Sequence, residues 1–242
     1  MNSMKYISHQ LFRMLGYDFL HYNKDNIASL RRAHILQSKQ INLLLDIGAN
    51  IGTYAITARR TGYKGFIISF EPLLESYHIL KKNAVSDPKW YCSQLAIGET
   101  DRVIEINVSK HITSSSLLPM LHKHVEVAPN SAYVGKGKIQ MKRLDKALPD
   151  MKMKVEDKSV CIKADVQGYE KFVLEGAIHT LKYTKIIEIE LTFFPLYETG
   201  PLFIDMVEYL AKIGFSLVSV EPVLSDPKTG YVLQADGIFV RI

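Results

Sequence analysis

Residues 43–55 read LLLDIGANIGTYA, and the reading of this stretch decides the fold. Apolar residues run without alternation into Asp46 and Ile47, so the strand must be covered on both faces, as in a parallel sheet. Gly48 and Gly52 then let the backbone turn sharply. TYAITARRTG (53–62) follows with helical character and ends on Gly62, a suitable helix C-terminus. Strand, glycine turn and helix in this order open a βαβ unit.

The same rhythm continues outward. GFIISFEP (65–72) predicts a second strand, LESYHILKKNAV a second helix and WYCSQLAIG (90–98) a third strand. From Glu99 to Asp145 the pattern changes: RVIEINVS and KIQMKRL alternate as half-exposed antiparallel strands, with a long polar region between them. SVCIKADVQG (159–168) and YEKFVLEGAIHTLK resume the βα pattern, followed by strand TKIIEIEL (184–191) and helix LFIDMVEYLAKIG (202–214). FSLVSVEP and YVLQADGIFVRI form a closing antiparallel pair. The fold class is therefore α/β, a Rossmann-like three-layer sandwich with a mostly parallel sheet, a C-terminal hairpin and an inserted β-rich segment. Residues 1–40 are expected to form a helical cap on a domain at 41–242, with 99–145 shaping part of an acceptor site. The spacing of Ile7, Leu11 and Leu15 suggests an amphipathic helix within that cap.

Composition narrows the classes. With 242 residues, 47% of them hydrophobic, the chain can bury a real core as one domain. Cys92 and Cys161 are the only cysteines and make neither a disulfide framework nor a zinc pattern, which points to a reducing, cytoplasmic setting. No apolar run is long enough to span a bilayer. The net charge of +5 is modest, so a nucleic-acid partner is not expected on this ground. Neither composition nor motif argues against a homodimer.

In open α/β sheets ligands bind beyond the carboxyl ends of the strands. At the first strand end stand Asp46, Gly48, Asn50 and Gly52, and Glu71 ends the second strand 19 residues past Gly52. A carboxylate at that place accepts hydrogen bonds from both hydroxyls of a ribose. The acid before the glycines would repel a pyrophosphate but could face the ammonium and sulfonium of S-adenosylmethionine. That cofactor therefore fits better than NAD, with a purely structural glycine turn as the bland alternative. Ala96, at the end of the third strand, is expected to complete the cofactor pocket.

Several blocks in order, LLLDIGANIGTYA, SFEP, SSSLL, MKRLDKAL, IKADVQGYEKFVLEGA, IEIEL and QADGIFV, resemble the FkbM-type methyltransferase family over roughly residues 40–242. The resemblance implies a class I, seven-stranded fold, S-adenosylmethionine as cofactor, and O-methylation of natural products, glycans or sugar-containing molecules. Gln167 departs from the pattern, since the family often has Glu in this D-V-E-G run. By the same resemblance Asp165 lies at the fourth strand's mouth beside the transferred methyl group.

Asp165 and Glu190 are the candidate catalytic bases. Glu188 and Glu190 share one face of an otherwise apolar strand, and acids there need partners or a pocket. Ser115, Ser116, Glu170 and Tyr197 are expected to touch the acceptor, although Glu170 also suits the positive end of a helix and Tyr197 the core. His111, His122 and His124 could supply a base or, if strand-like, a pair reaching one ligand. No dedicated metal ligands are assigned, while a divalent metal stays open as a cofactor. The alternatives to a small-molecule or glycan acceptor are a nucleic-acid 2′-O-methyltransferase and an NAD-binding oxidoreductase.

Overall fold

The computed structural model describes residues 12–16 and 22–242, so Ile7 and Leu11 lie outside the described residues. In chain order the strands are β1 (Leu43–Ile47), β2 (Phe66–Phe70), β3 (Trp90–Ser93), β4 (Ala96–Ile97), β5 (Arg102–Ser109), β6 (Tyr133–Lys142), β7 (Val160–Ala164), β8 (Thr184–Thr192), β9 (Phe215–Ser225) and β10 (Val232–Arg241). The helices are α1 (Ala28–Ser38), α2 (Thr53–Arg60), α3 (Leu74–Ala84), α4 (His122–Val127), α5 (Leu144–Asp150), α6 (Glu170–Glu175), α7 (Ile178–Leu181) and α8 (Phe203–Lys212).

Apart from Asp46 and Lys163, β1 and β7 are apolar, and they lie at the centre of a seven-stranded sheet of order β3-β2-β1-β7-β8-β10-β9, every residue of both strands buried. β1, β2, β3, β7 and β8 are parallel, and β10 pairs antiparallel with both β8 and β9. Residues in register share a face. Leu44, Ile67, Cys161 and Ile186 therefore meet the core under α1, α2 and α3, whereas Leu45, Ile68, Ile162 and Ile187 meet the core under α5 to α8. The expected sandwich and its antiparallel closing pair are present. The strand order reverses between β1 and β7, and the crevice at that switch point is the natural place for a ligand.

Three local expectations change. The predicted third strand is two pieces: β2 ends at Phe70, so past Ser93 there is no strand left to pair with, and Ala96–Ile97 joins β6 in a separate three-stranded sheet with β5. The predicted helix after Gly168 breaks at Gly176, where a Cβ would lie 2.0 Å from the Gly98 carbonyl oxygen. Bare backbone at that point lets the insertion pack against the helical layer. Finally, the polar region contains a short helix, α4, which places His122 on the exposed side and His124 in the interior. The two histidines thus cannot meet one ligand as a strand pair would.

α1 is tied to the sheet by charge. Arg32 Nε donates to both oxygens of Glu188 at 2.7 and 2.8 Å, Tyr54 Oη donates to the same carboxylate at 2.6 Å, and Arg31 pairs with Glu221. Removing one partner of a buried pair leaves the other charge unsolvated. Arg32→Met is expected to lower stability by about 3–5 kcal/mol, with part recovered in the double variant Arg32→Met, Glu188→Gln; urea unfolding measures both.

Candidate active site

Backbone contact between two loops sets the floor of the crevice. Gly48 has φ +75°, and a Cβ there would sit 2.0 Å from the carbonyl oxygen of Asp165. The Asp165 N–H in turn donates to the Ile47 carbonyl at 3.1 Å. Only glycine lets the β1 and β7 ends approach this closely. Gly52, by contrast, stands behind the loop: a Cβ there would meet Trp90 and Leu80 within 3 Å. Its absent side chain serves strand–helix packing.

Glu71 faces this loop from the end of β2. Its Oε2 accepts the Asn50 N–H at 2.8 Å and its Oε1 the Leu73 N–H at 2.9 Å. Burial pushes its pKa up to about 7, although these two bonds pull the other way. Asn50 reaches Glu71 by taking a left-handed conformation, φ 51°. A cleft enclosing about 690 Å³ of space, its mouth included, opens here. Gly48, Asn50, Glu71, Ala96, Ser115, Ser116 and Asp165 all line it. Its apolar wall comes from Leu73, Leu95, Ile106 and Ile139. An apolar slot beside a buried carboxylate that keeps free lone pairs suits a nucleoside with a vicinal diol.

Asp46 lies elsewhere. It is fully buried inside β1 and is not on the cleft wall. One of its oxygens accepts from Ser69 Oγ at 3.2 Å, and the other has no hydrogen-bond partner. The Lys163 ammonium, 3.8 Å away, offsets its charge. Burial raises the Asp46 pKa. Lys163 also lies 3.4 Å from Asp165; burial works against its charge, but these two carboxylates prevail and hold it protonated. Lys163 is a site residue the sequence reading missed. Its signal was an alternation, since Lys163 and Asp165 are two apart in IKAD and share a face.

Beyond Asp165 a hydrogen-bonded network joins β7, β8 and β10. The Gln167 side-chain amide donates to Asp165 Oδ1 at 2.9 Å and to Glu190 Oε2 at 3.0 Å. Its carbonyl oxygen accepts from Tyr197 Oη at 2.6 Å. Gln234 donates to the same Glu190 oxygen at 2.5 Å, and Asp236 stands opposite Glu190 in the β8–β10 ladder. Burial, then the charges of Asp165, Glu170 and Asp236, raises the Glu190 pKa well above the usual carboxylate range. Gln167 reaches this position with φ 56°, a left-handed conformation that costs on the order of 1 kcal/mol for a residue with a Cβ.

The remaining expected contacts are turned inward. Glu170 Oε1 accepts the Val166 and Gly168 N–H groups at 3.0 and 3.3 Å, so this acid clamps the loop above β7. Burial raises its pKa to about 7. Tyr197 is 3% exposed and anchors Gln167. Ser116 Oγ donates to the Gln167 main-chain carbonyl at 2.7 Å and joins the insertion to the same loop. His124 is buried with its ring 5.1 Å from that of Tyr197, and His111 and His122 are exposed. Among the described residues no cluster of three or more His, Cys, Asp or Glu side chains could hold a metal ion, and no helix is long and apolar enough to cross a membrane.

None of the curated proteins matches this sequence. Solved structures similar to it include the precorrin-6y C5,15-methyltransferase of Geobacter metallireducens, at 12% identity and TM-score 0.45, covering 87% of each chain. Another is the fibrillarin of Aeropyrum pernix, solved with natively bound S-adenosyl-L-methionine, at 12% identity and TM-score 0.46, covering 83% of this chain and 66% of that one. The Methyltransferase FkbM domain matches residues 46–217, and with most of its length inside that match the chain belongs to this family of S-adenosylmethionine-dependent methyltransferases.

Proposed function

We propose that the chain is an O-methyltransferase acting on a hydroxyl of a neutral, hydroxyl-rich acceptor such as a sugar, a glycan or a polyhydroxylated natural product. The observation that carries this reading is the position of Asp165. It lines the cofactor cleft and is hydrogen-bonded to the Gln167–Glu190 network behind it. A carboxylate at that seam can take a proton from an alcohol. Asp165, Glu190 and Asp236 gather on this side of the sheet, and such a concentration of carboxylates opposes phosphodiester backbones. Hydroxyl-rich neutral molecules offer the donors that these acids accept.

Bound S-adenosylmethionine supplies an electrophilic methyl group on a sulfonium centre. Glu71 would receive the ribose hydroxyls through its free lone pairs, with Gly48 and Asn50 giving close backbone approach and Leu95, Ala96 and Ile139 bounding the base. Asp165, on the cleft wall, would accept the proton that the acceptor's hydroxyl loses on methylation. The Lys163 ammonium, 3.4 Å from Asp165, places a positive charge beside this carboxylate. Holding the acceptor in line contributes up to roughly 7–11 kcal/mol and a placed base about 10²–10⁴-fold, so positioning is the larger share.

Two outcomes follow from these roles. A ribose diol donates to the ionised form of Glu71, whose pKa is about 7 in the free protein. Cofactor binding therefore expels a proton from Glu71, and affinity is expected to tighten as pH rises from 6 to 8. Glu71→Gln should flatten this dependence, and Glu71→Ala should weaken binding by about ten- to a hundredfold; calorimetry reads both, and unchanged affinity for Glu71→Ala removes the ribose assignment. Asp165→Asn is expected to lower kcat by about 10²–10⁴-fold with cofactor affinity retained, and Glu190→Gln to lower it less. S-adenosylhomocysteine release with a panel of sugars and polyols measures this, and wild-type turnover by Asp165→Asn rules out the carboxylate base.

A further inference from the structure

Gln167 makes more directed contacts than any other side chain between the two candidate acids, and they dictate its orientation. Tyr197 Oη donates to Gln167 Oε1, which leaves Nε2 to face Asp165 and Glu190. The reverse orientation would set an amide oxygen against two carboxylates, which can only accept when ionised. Ser116 Oγ holds the main-chain carbonyl of the same residue, and the left-handed backbone swings the side chain over the strand ends. Gln167 is 8% exposed, so water competes little for these bonds.

We propose that Gln167 is a positioning residue that joins Asp165 and Glu190 into one hydrogen-bonded pair, with Tyr197 fixing which end of the amide faces the acids. This rests on the reading of Asp165 as the base. Each amide hydrogen has a separate carboxylate to serve, and a hydrogen bond donated to a carboxylate favours its ionised form. The bridge holds the Asp165 carboxylate at the cleft wall and lets it share its electrostatic state with Glu190. Gln234 caps the same Glu190 oxygen from β10. The other charged or titratable groups facing the hub are Lys163 from β7, Asp236 from β10, Glu170 from α6 and Tyr133 from β6, together with Tyr197 and the His124 ring packed on it. A glutamate at position 167 would face Asp165 and Glu190 with a third acid in place of two donors.

The test is a carbon-13 carboxyl NMR titration of the full chain without cofactor, comparing wild type, Gln167→Glu and Gln167→Leu. The signals are identified with Asp165→Asn and Glu190→Gln. Loss of the donors in Gln167→Leu should move the Glu190 midpoint to higher pH by about one unit or more, and the added acid in Gln167→Glu should do the same. In turnover, both variants should lower kcat about ten- to a hundredfold at retained cofactor affinity, and the acidic limb of the Gln167→Glu rate profile should shift to higher pH. Tyr197→Phe, which removes only the anchoring hydroxyl, should give a smaller shift in the same direction and serves if a Gln167 variant fails to fold. A wild-type Glu190 midpoint in folded Gln167→Leu and Tyr197→Phe overturns the bridge. The titration needs no acceptor, so it separates this failure from that of the O-methylation reading, which turnover by Asp165→Asn decides.

Discussion

The β1 loop and the β7 loop touch through bare backbone, with Gly48 against the Asp165 carbonyl, and the rest of the site depends on this contact. A side chain at Gly48 would have to displace a peptide group, because its Cβ would lie 2.0 Å from that oxygen. The approach brings the glycine loop after β1 and the acid-bearing loop after β7 to one wall of one cleft. It also places Asp165 where the Lys163 ammonium and the Gln167 amide both reach it. Two central parallel strands whose connections diverge supply the crevice, and the glycine narrows it to molecular dimensions.

A second constraint is electrostatic. The face of the sheet beneath α1 and α2 carries Asp46, Lys163 and Glu188 side by side in register, in strands that are otherwise apolar. Each charge is matched: Lys163 lies between Asp46 and Asp165, and Glu188 is bound by Arg32 and Tyr54. Unmatched, any of them would cost several kcal/mol inside the protein. Near the cleft the matching is deliberately incomplete. Glu71 and Glu190 are surrounded by hydrogen-bond donors but lack an adjacent cation, and burial leaves both with raised pKa values.

The insertion between β4 and β6 packs against the cleft and the loop after β7. Its small sheet supplies Ile106 and Ile139 to the cleft, and Ser116 ties it to the Gln167 main chain. The break between α6 and α7 at Gly176, against Gly98, is what lets this sheet lie close to the main domain. The Gln167 network and the cleft thus share one loop, Asp165–Tyr169, which Glu170 clamps from within.

Much of this was legible from the chain. The unalternating apolar run into Asp46 required a covered parallel strand, the glycine turn required a βα junction, and the interval to Glu71 placed a carboxylate opposite that turn. These are local properties, governed by periodicity and backbone sterics. Side-chain partnership was not legible, because it depends on which strand lies beside which and which way each residue points. Asp46 was expected at the cofactor and lies inside the strand; Glu170 and Tyr197 were expected at the acceptor and hold the loop and the Gln167 amide instead. Lys163 and the bridging role of Gln167 emerge only when β1, β7, β8 and β10 are set in register. The sequence by itself determined the layers, the order of units and the places where acids and glycines occur. The tertiary structure decided which acids are paired and which face the cleft, since the energy of a buried charge is set by the neighbours that long-range packing brings to it.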